Sequence, residues 1–280
     1  MAIVVTGATG NVGRPLVEEL VAAGAEVRAV SRRPEAAGFP PEVKVVDSVV
    51  AAIPGASAVF LNSRALGEDM APTVRLARQQ GVGRLVALSA INADDDFSRQ
   101  PSRYRGDRNK EVEQLAIDLG LPWVSLRPSV FATNFAGMWG GQIQAGDVVS
   151  GPYASAASAP IVESDIAAVA ARALTSDDLL GQRIPLTGPR SLTNIELVEV
   201  IGSVLGRPLR YNEVPVELVR QRFVNLGFPP EFGDAYIAML ATTVDRPAEV
   251  TDGVARILGR PAQSWMQWVT EHKSLFSQGS

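Results

Sequence analysis

Three glycines set three residues apart, Gly7, Gly10 and Gly13, stand in the run Thr6-Gly7-Ala8-Thr9-Gly10-Asn11-Val12-Gly13. This spacing can bring bare backbone N–H groups against an anion. Gly7 permits a sharp turn, Gly10 lets backbone approach a ligand with no Cβ in the way, and Gly13 lets a helix pack closely on a strand. Thr9, Asn11 and Val12 complete the loop. A helix that starts there adds unpaired N–H groups and its dipole, which favour a pyrophosphate. About twenty residues past the glycines, where an acid would hold a ribose 2′-hydroxyl, the chain instead reads Ser31-Arg32-Arg33-Pro34. A carboxylate at that place repels a 2′-phosphate, whereas a guanidinium binds it with a two-pronged hydrogen bond. The expectation is a dinucleotide site that takes NADP, with NADPH preferred over NADH.

These residues need a strand before them and a helix after them. Ala2-Ile3-Val4-Val5 is short, apolar and β-branched, as a buried parallel strand is. Val12, Leu16, Val17, Leu20 and Val21 recur at helical spacing, and Gly24 ends the helix. A second strand follows over 26–30. That setting turns a weak glycine triplet into a dinucleotide fingerprint. The rhythm continues with strands over 43–46, 58–62, 84–89 and 123–126, and helices over 69–80 and 104–119. It predicts an α/β fold, a doubly wound parallel Rossmann sheet with helices on both faces.

In such sheets ligands bind outside the C-terminal strand ends. Asp47 and Ser48 close the third strand, where Asp47 either accepts from the adenine amino group or caps the short helix that follows. Leu61, Asn62 and Ser63 end the fourth strand and Ser89 the fifth, facing the path of pyrophosphate, ribose and nicotinamide. Pro128 follows the sixth, next to the expected nicotinamide.

The 280 residues suffice for a core domain plus a smaller one. Residues 1–128 are expected to form the coenzyme domain and 129–280 a mainly helical substrate lobe, with segments around 159–190 returning to the sheet. Hydrophobic content of 46%, charged content of 20% and a net charge of −4 describe an ordinary globular protein and argue against a nucleic-acid partner. The absence of cysteine excludes disulfides, thiol nucleophiles and cysteine-ligated metals. The single histidine, His272, lies in a polar segment and reads as solvated. A Ser-His-Asp hydrolase and a multi-histidine metal site are therefore set aside. No charged leader precedes the first strand and no apolar stretch is long enough for a bilayer, so a cytoplasmic protein with no membrane partner is expected.

Past Pro128 the alternation stops. Phe131, Asn134, Phe135, Met138 and Trp139 form an apolar-aromatic group flanked by Gly137, Gly140 and Gly141. It reads as a loop, either part of a core or the wall of a substrate cavity. Gly151-Pro152-Tyr153 is a turn carrying another aromatic towards that region. Asp165 reads as an N-terminal helix acid, and Thr193 with Glu196 as a capping box. Further helices are expected around 216–226, 230–242 and 261–272. Their Phe223, Phe228, Phe232, Tyr236 and Met239 either close the pocket or pack as core, while Trp265 and Trp268 dock onto the core.

With these motifs the chain resembles the NmrA-like group of atypical short-chain dehydrogenases/reductases over most of its length. The resemblance rests on the opening Val5-Thr6-Gly7-Ala8-Thr9-Gly10-Asn11-Val12-Gly13, on Leu126-Arg127-Pro128 with Phe131 and Asn134, on Ala159-Pro160-Ile161 before Asp165-Ile166-Ala167-Ala168-Val169-Ala170, and on Leu186-Thr187-Gly188-Pro189 and Leu205-Gly206-Arg207-Pro208. It implies NADPH-dependent quinone and azo reductases, isoflavone-type reductases, secondary-metabolite tailoring enzymes or NADP-sensing regulators. The wider superfamily uses a Tyr-x-x-x-Lys pair. Here Tyr104-Arg105-Gly106-Asp107-Arg108 places arginine where lysine belongs, with Lys110 two residues on. The resemblance thus implies either Tyr104 and Lys110 as the catalytic pair, or Arg108 or Lys110 as the nicotinamide-ribose contact with Tyr104 a loop residue.

The expected function is an NADPH-dependent oxidoreductase passing hydride to a small aromatic carbonyl or quinone stacked among Phe131, Phe135, Trp139 and Tyr153. A homodimer is compatible with that reading. The alternative is a non-catalytic NADP(H) sensor, which the missing lysine favours. A sugar-nucleotide epimerase ranks third, since it wants an intact Tyr/Lys pair.

Overall fold

Every residue of Ala2–Val5 is buried, and this strand, β1, lies inside the sheet, between β2 and β4. The computed structural model describes residues 2–277; Met1 and residues 278–280 lie outside the described residues. After β1 come α1 (Gly13–Ala22), β2 (Glu26–Val30), β3 (Lys44–Val46), α2 (Val49–Ala52), β4 (Ala56–Asn62), α3 (Ser63–Leu66), α4 (Met70–Gln79) and β5 (Arg84–Leu88). Then follow α5 (Asn109–Asp118), β6 (Trp123–Pro128), α6 (Ala132–Ala145), β7 (Val148–Gly151), β8 (Ala157–Ser158), α7 (Glu163–Thr175) and β9 (Arg183–Leu186). The remainder is β10 (Leu192–Thr193), α8 (Asn194–Leu205), β11 (Arg210–Glu213), α9 (Val216–Asn225), α10 (Pro230–Ala241), α11 (Gly253–Leu258) and α12 (Trp265–Glu271). No helix among the described residues is long and apolar enough to cross a membrane.

The chain divides into two compact units. The first comprises the residues up to Ala93, Gly106–Pro128 and Glu163–Pro185. It holds a seven-stranded sheet of order β3-β2-β1-β4-β5-β6-β9. Strand pairing is parallel, with Ala2 opposite Glu26 and Val5 opposite Ala29 on one side and Val5 opposite Phe60 on the other. At β9 the Ser125 N–H donates to the Gln182 carbonyl and the Ser129 N–H to that of Leu186, so both strands advance together. Val4, Val59, Leu61, Leu85 and Ala87 pack against Val74, Ala77, Val112 and Ala116 of the covering helices. Strands covered on both faces need continuous apolar runs, which is why β1 and β4 do not alternate. The order reverses between β1 and β4, which makes their C-terminal ends the ligand-binding crevice of this topology.

The second unit comprises Asp94–Arg105, Ser129–Val162 and the residues from Leu186 on. Two small sheets, β7 with β11 and β8 with β10, accompany its helices. Its main cluster joins Phe135, Trp139 and Ile143 of α6 to Leu197 and Ile201 of α8 and to Trp265 and Trp268 of α12. The expected capping box is present, with the Thr193 hydroxyl accepting the Glu196 N–H and the Glu196 carboxylate accepting the Thr193 N–H. Phe223 and Phe232 pack 5.0 Å apart with Phe228 and Tyr236 around them, as core of a smaller cluster.

Three expectations change. The loop expected after Phe131 is the helix α6, because Ala132, Phe135, Trp139 and Ile143 fall on one buried face; of its glycines only Gly140 is tightly packed, a Cβ there coming within 2.9 Å of the Leu275 carbonyl. The helix expected from residue 104 starts at Asn109, since Gly106 at φ +96° separates it from the 3₁₀ turn Pro101–Arg105. His272 is not simply solvated: its ring stacks on Trp268 at 4.5 Å, with Nδ1 2.9 Å from the Trp268 carbonyl.

Candidate functional site

Thr6 ties the ends of β1 and β4 together. Its hydroxyl donates to the Phe60 carbonyl at 2.8 Å and accepts the Asn62 N–H at 2.8 Å. Asn62 in turn accepts the Ala65 N–H at 3.1 Å, capping α3. The glycine loop is laid over this clamp. Gly7 sits at φ +66°, and a Cβ on it would come within 3.1 Å of Ala65 Cβ and Asn62 Nδ2. The Gly10 N–H donates to the Gly7 carbonyl at 2.9 Å, which bends the loop back on itself. A Cβ on Gly13 would strike that same carbonyl and lie 2.8 Å from Ala8 Cα. Bare backbone is thus required at both ends of the loop.

Thr9, Gly10 and Asn11 are exposed, while Val12 and Gly13 are buried. Val12 is the N-cap of α1 and makes no side-chain cap, and the first turn holds no acidic residue. The helix end therefore presents backbone donors and positive dipole with no carboxylate to neutralise them. The donor set fits a pyrophosphate.

At the end of β2, Ser31 is anchored by its N–H to the Val46 carbonyl at 2.9 Å, and its hydroxyl accepts the Arg33 N–H at 3.2 Å. Arg32 and Arg33 are exposed, and among the described residues neither is paired with a carboxylate. Asp47 is exposed beyond β3; the N-cap of α2 is Ser48, which makes no side-chain cap, so Asp47 is not spent on capping.

The ends of β4 and β5 hold the start of α5. Leu61 is buried in the core, whereas the buried Ser63 hydroxyl accepts the Arg108 N–H at 3.0 Å. The Ser89 hydroxyl donates to the Asn109 carbonyl at 3.0 Å, and its N–H donates to Leu126 at 2.8 Å. The buried Pro128 accepts the Ile91 N–H at 2.9 Å. Arg108, Asn109 and Lys110 are thereby brought to the strand ends that also carry Asn62 and Pro128. Arg64 pairs with Asp107 just ahead of them. Tyr104 is placed differently. It is 37% exposed in the 3₁₀ turn of the second unit, so Tyr104 and Arg108 are not successive turns of one helix.

Of the aromatic group after β6, Phe131 is half-buried ahead of α6, bridged to Ile161. Asn134 is exposed and Met138 half-buried. Phe135 and Trp139 are each only 3% exposed, with Phe135 4.9 Å from Trp139 and 5.3 Å from Trp265, so these two rings are core. Tyr153 has a left-handed backbone at φ +48° and, with Glu213, Val214, Pro215 and Val216, lines an open cleft of about 470 Å³ in the second unit.

Sequence reasoning missed one cluster. Glu113 of α5 is fully buried and bonded by Ser125, Arg127 and Arg183. The alternation Ser125-x-Arg127 on β6, placing two polar groups on one face of a buried strand, is the signal that points to such a partner.

Residues 7–177 match the family described as NAD(P)H-binding. The chain is 33% identical over 285 residues to the (4-alkanoyl-5-oxo-2,5-dihydrofuran-3-yl)methyl phosphate reductase of Streptomyces griseus, covering 98% of this chain and 99% of that one. It is 28% identical over 290 residues to the NAD(P)H azoreductase of Xenophilus azovorans, again covering 98% and 99%. The fold matches that of the NADPH-dependent quinone oxidoreductase of Escherichia coli, solved with NADPH, at a TM-score of 0.82 and 19% identity, over 98% of this chain and 100% of that one. The matched family segment opens on the glycine loop itself. The chain belongs to the NAD(P)H-binding family and is an NAD(P)H-dependent oxidoreductase.

Proposed function

We propose that the protein is an NADPH-dependent reductase of a small aromatic carbonyl or quinone, working in the cytoplasm as a tailoring enzyme of secondary metabolism. The observation that carries the coenzyme choice is the pair Arg32 and Arg33, exposed and without a carboxylate partner, at the strand end where an NAD site holds an acid. The bound coenzyme supplies the hydride. The glycine loop and first turn of α1 hold the pyrophosphate, the two arginines hold the 2′-phosphate, and Asp47 with Ser48 borders the adenine. Asn62, Ser63, Ser89, Arg108, Lys110 and Pro128 border the ribose and nicotinamide.

In the second unit, Phe131, Asn134, Met138 and Tyr153 are the residues proposed to touch an aromatic substrate, with Phe135 and Trp139 supporting them from the core. An azoreductase and a quinone oxidoreductase among the similar proteins support a flat, conjugated acceptor. A quinone takes its proton from water, so the reaction tolerates the arginine at 108. The test is loss of NADPH absorbance with a panel of quinones and aromatic carbonyls. Turnover abolished by Gly10→Arg is expected; nucleotide binding without turnover on any acceptor would overturn the reading.

A further inference from the structure

Arg14, the second residue of α1, is half-buried. Its Nη2 donates to the Ala37 carbonyl at 2.8 Å, and its guanidinium carbon lies 4.9 Å from the centre of the Phe39 ring. Both partners are neutral, and among the described residues no carboxylate pairs with Arg14. A hydrogen bond and a cation–π contact thus strap residues 34–39 to the helix whose N-terminus forms the anion cradle.

The strapped segment follows directly on Arg32 and Arg33. Its other backbone hydrogen bonds are local, Ala36 N–H to the Arg33 carbonyl and Ala37 N–H to that of Pro34, both at 3.2 Å. Nothing in those short-range bonds fixes the segment relative to α1. Arg14 does, through the Ala37 carbonyl and the Phe39 ring.

We infer that Arg14 is a specificity-determining positioning residue for the phosphorylated coenzyme, pinning the segment after β2 so that Arg32 and Arg33 are held in register with the glycine cradle. The inference rests on the NADPH reading above. Guanidiniums held in a fixed place reward a 2′-phosphate dianion far more than a neutral 2′-hydroxyl. Loss of the strap therefore acts on one coenzyme and not on the other.

The test is calorimetric titration of NADPH and NADH into the folded wild type, Arg14→Ala and Arg14→Lys. Arg14→Ala is expected to weaken NADPH about tenfold and NADH less than about twofold, as loss of ordered charge-assisted contacts predicts. Arg14→Lys, which keeps a donor and a cation, is expected to restore most of the difference. Should Arg14→Ala fail to fold, Arg14→Met keeps the packed stem without the donor and carries the same expectation. Equal weakening of both coenzymes, or unchanged NADPH binding, overturns the inference while a selective wild type leaves the NADPH reading standing. A wild type that binds both coenzymes equally overturns both.

Discussion

Arg127 closes a two-pronged ion pair on Glu113, Nε to Oε2 at 2.9 Å and Nη2 to Oε1 at 2.7 Å, around a carboxylate that solvent does not reach. Burial alone would raise the Glu113 carboxyl, but hydrogen bonds from Arg127, Arg183 and Ser125 outweigh it and hold the group at about 2, below its ordinary 4.5. A depressed carboxyl contributes stability above its unfolded value and loses it as pH falls through the folded one. The pair therefore stabilises the first unit at neutral pH, and that stabilisation drains away between about pH 5 and pH 2.

Glu113→Gln is accordingly expected to cost about 3–5 kcal/mol at pH 7, because it removes the buried charge that the Arg127 and Arg183 guanidiniums pair with. The deficit relative to wild type shrinks on acidification. Urea denaturation across that range measures it, and a deficit that stays constant from neutral pH to pH 3 contradicts the role given to the pair.

A Cβ at residue 13 has no room, which separates this glycine from others in the same unit. Gly13→Ala is expected to lose nucleotide binding and to cost about 1–3 kcal/mol from overpacking. Gly24, at φ +75°, has nothing within 4 Å of an added Cβ. Gly24→Ala is therefore expected to cost about 1–2 kcal/mol of backbone strain and leave nucleotide affinity intact. Thermal melts combined with NADPH titration distinguish the two; nucleotide binding lost in both variants would mean that stability, not the cradle, is being read.

Arg32 is exposed and unpaired, so removing it disturbs no internal contact. Arg32→Ala is expected to weaken NADPH by about 1.5–3 kcal/mol, the worth of a hydrogen bond to a charged group, with NADH nearly unaffected. The loss should shrink in high salt, as an exposed charge contact does. Equal losses for the two coenzymes count against the 2′-phosphate assignment.

The nucleotide end of the fold was legible because its signals are local. An apolar run, glycines at fixed spacing and a periodic helix sit within 30 residues, and β1, α1 and β2 follow them. The capping box at Thr193 and Glu196 was readable for the same reason. What escaped reading depends on partners distant in sequence. The three glycines of α6 argue for a loop until Phe135 and Trp139 are found packed with Trp265, far along the chain. Glu113 looks like an acid on a solvated helix face, and only Ser125, Arg127 and Arg183 reveal it as buried. Gly106 carried a visible warning, since glycine ends helices, but the Tyr-x-x-x-Arg spacing masked it. Arg14 lies in the best-read stretch of the chain, yet its contacts with Ala37 and Phe39 lie 23 and 25 positions on.

Phe135 and Phe131 stand four residues apart and are expected to answer differently to truncation. Phe135 is enclosed by Trp139 and Trp265, so Phe135→Ala should cost about 3–5 kcal/mol of stability by leaving a cavity. Phe131 is only half-buried, and Phe131→Ala should cost less while raising the KM for an aromatic acceptor. Melting curves with steady-state kinetics separate the two effects. A Phe131 variant with unchanged KM across the acceptor panel removes that ring from the proposed substrate surface.

Tyr104 offers the sharpest division between a proton-donating side chain and solvent. In a Tyr-x-x-x-Lys arrangement the phenol and the cation lie one turn apart on a single helix. Here Gly106 breaks the helix, and Tyr104 lies in the second unit while Arg108 and Lys110 lie in the first. Tyr104→Phe is therefore expected to leave kcat for a quinone within about threefold, against the 10²–10⁴ that a positioned acid is worth. Lys110→Ala, which removes a cation at the start of α5, is expected to raise the KM for NADPH and leave the pH profile of kcat unchanged. A hundredfold fall in kcat for Tyr104→Phe would restore the phenol as the acid.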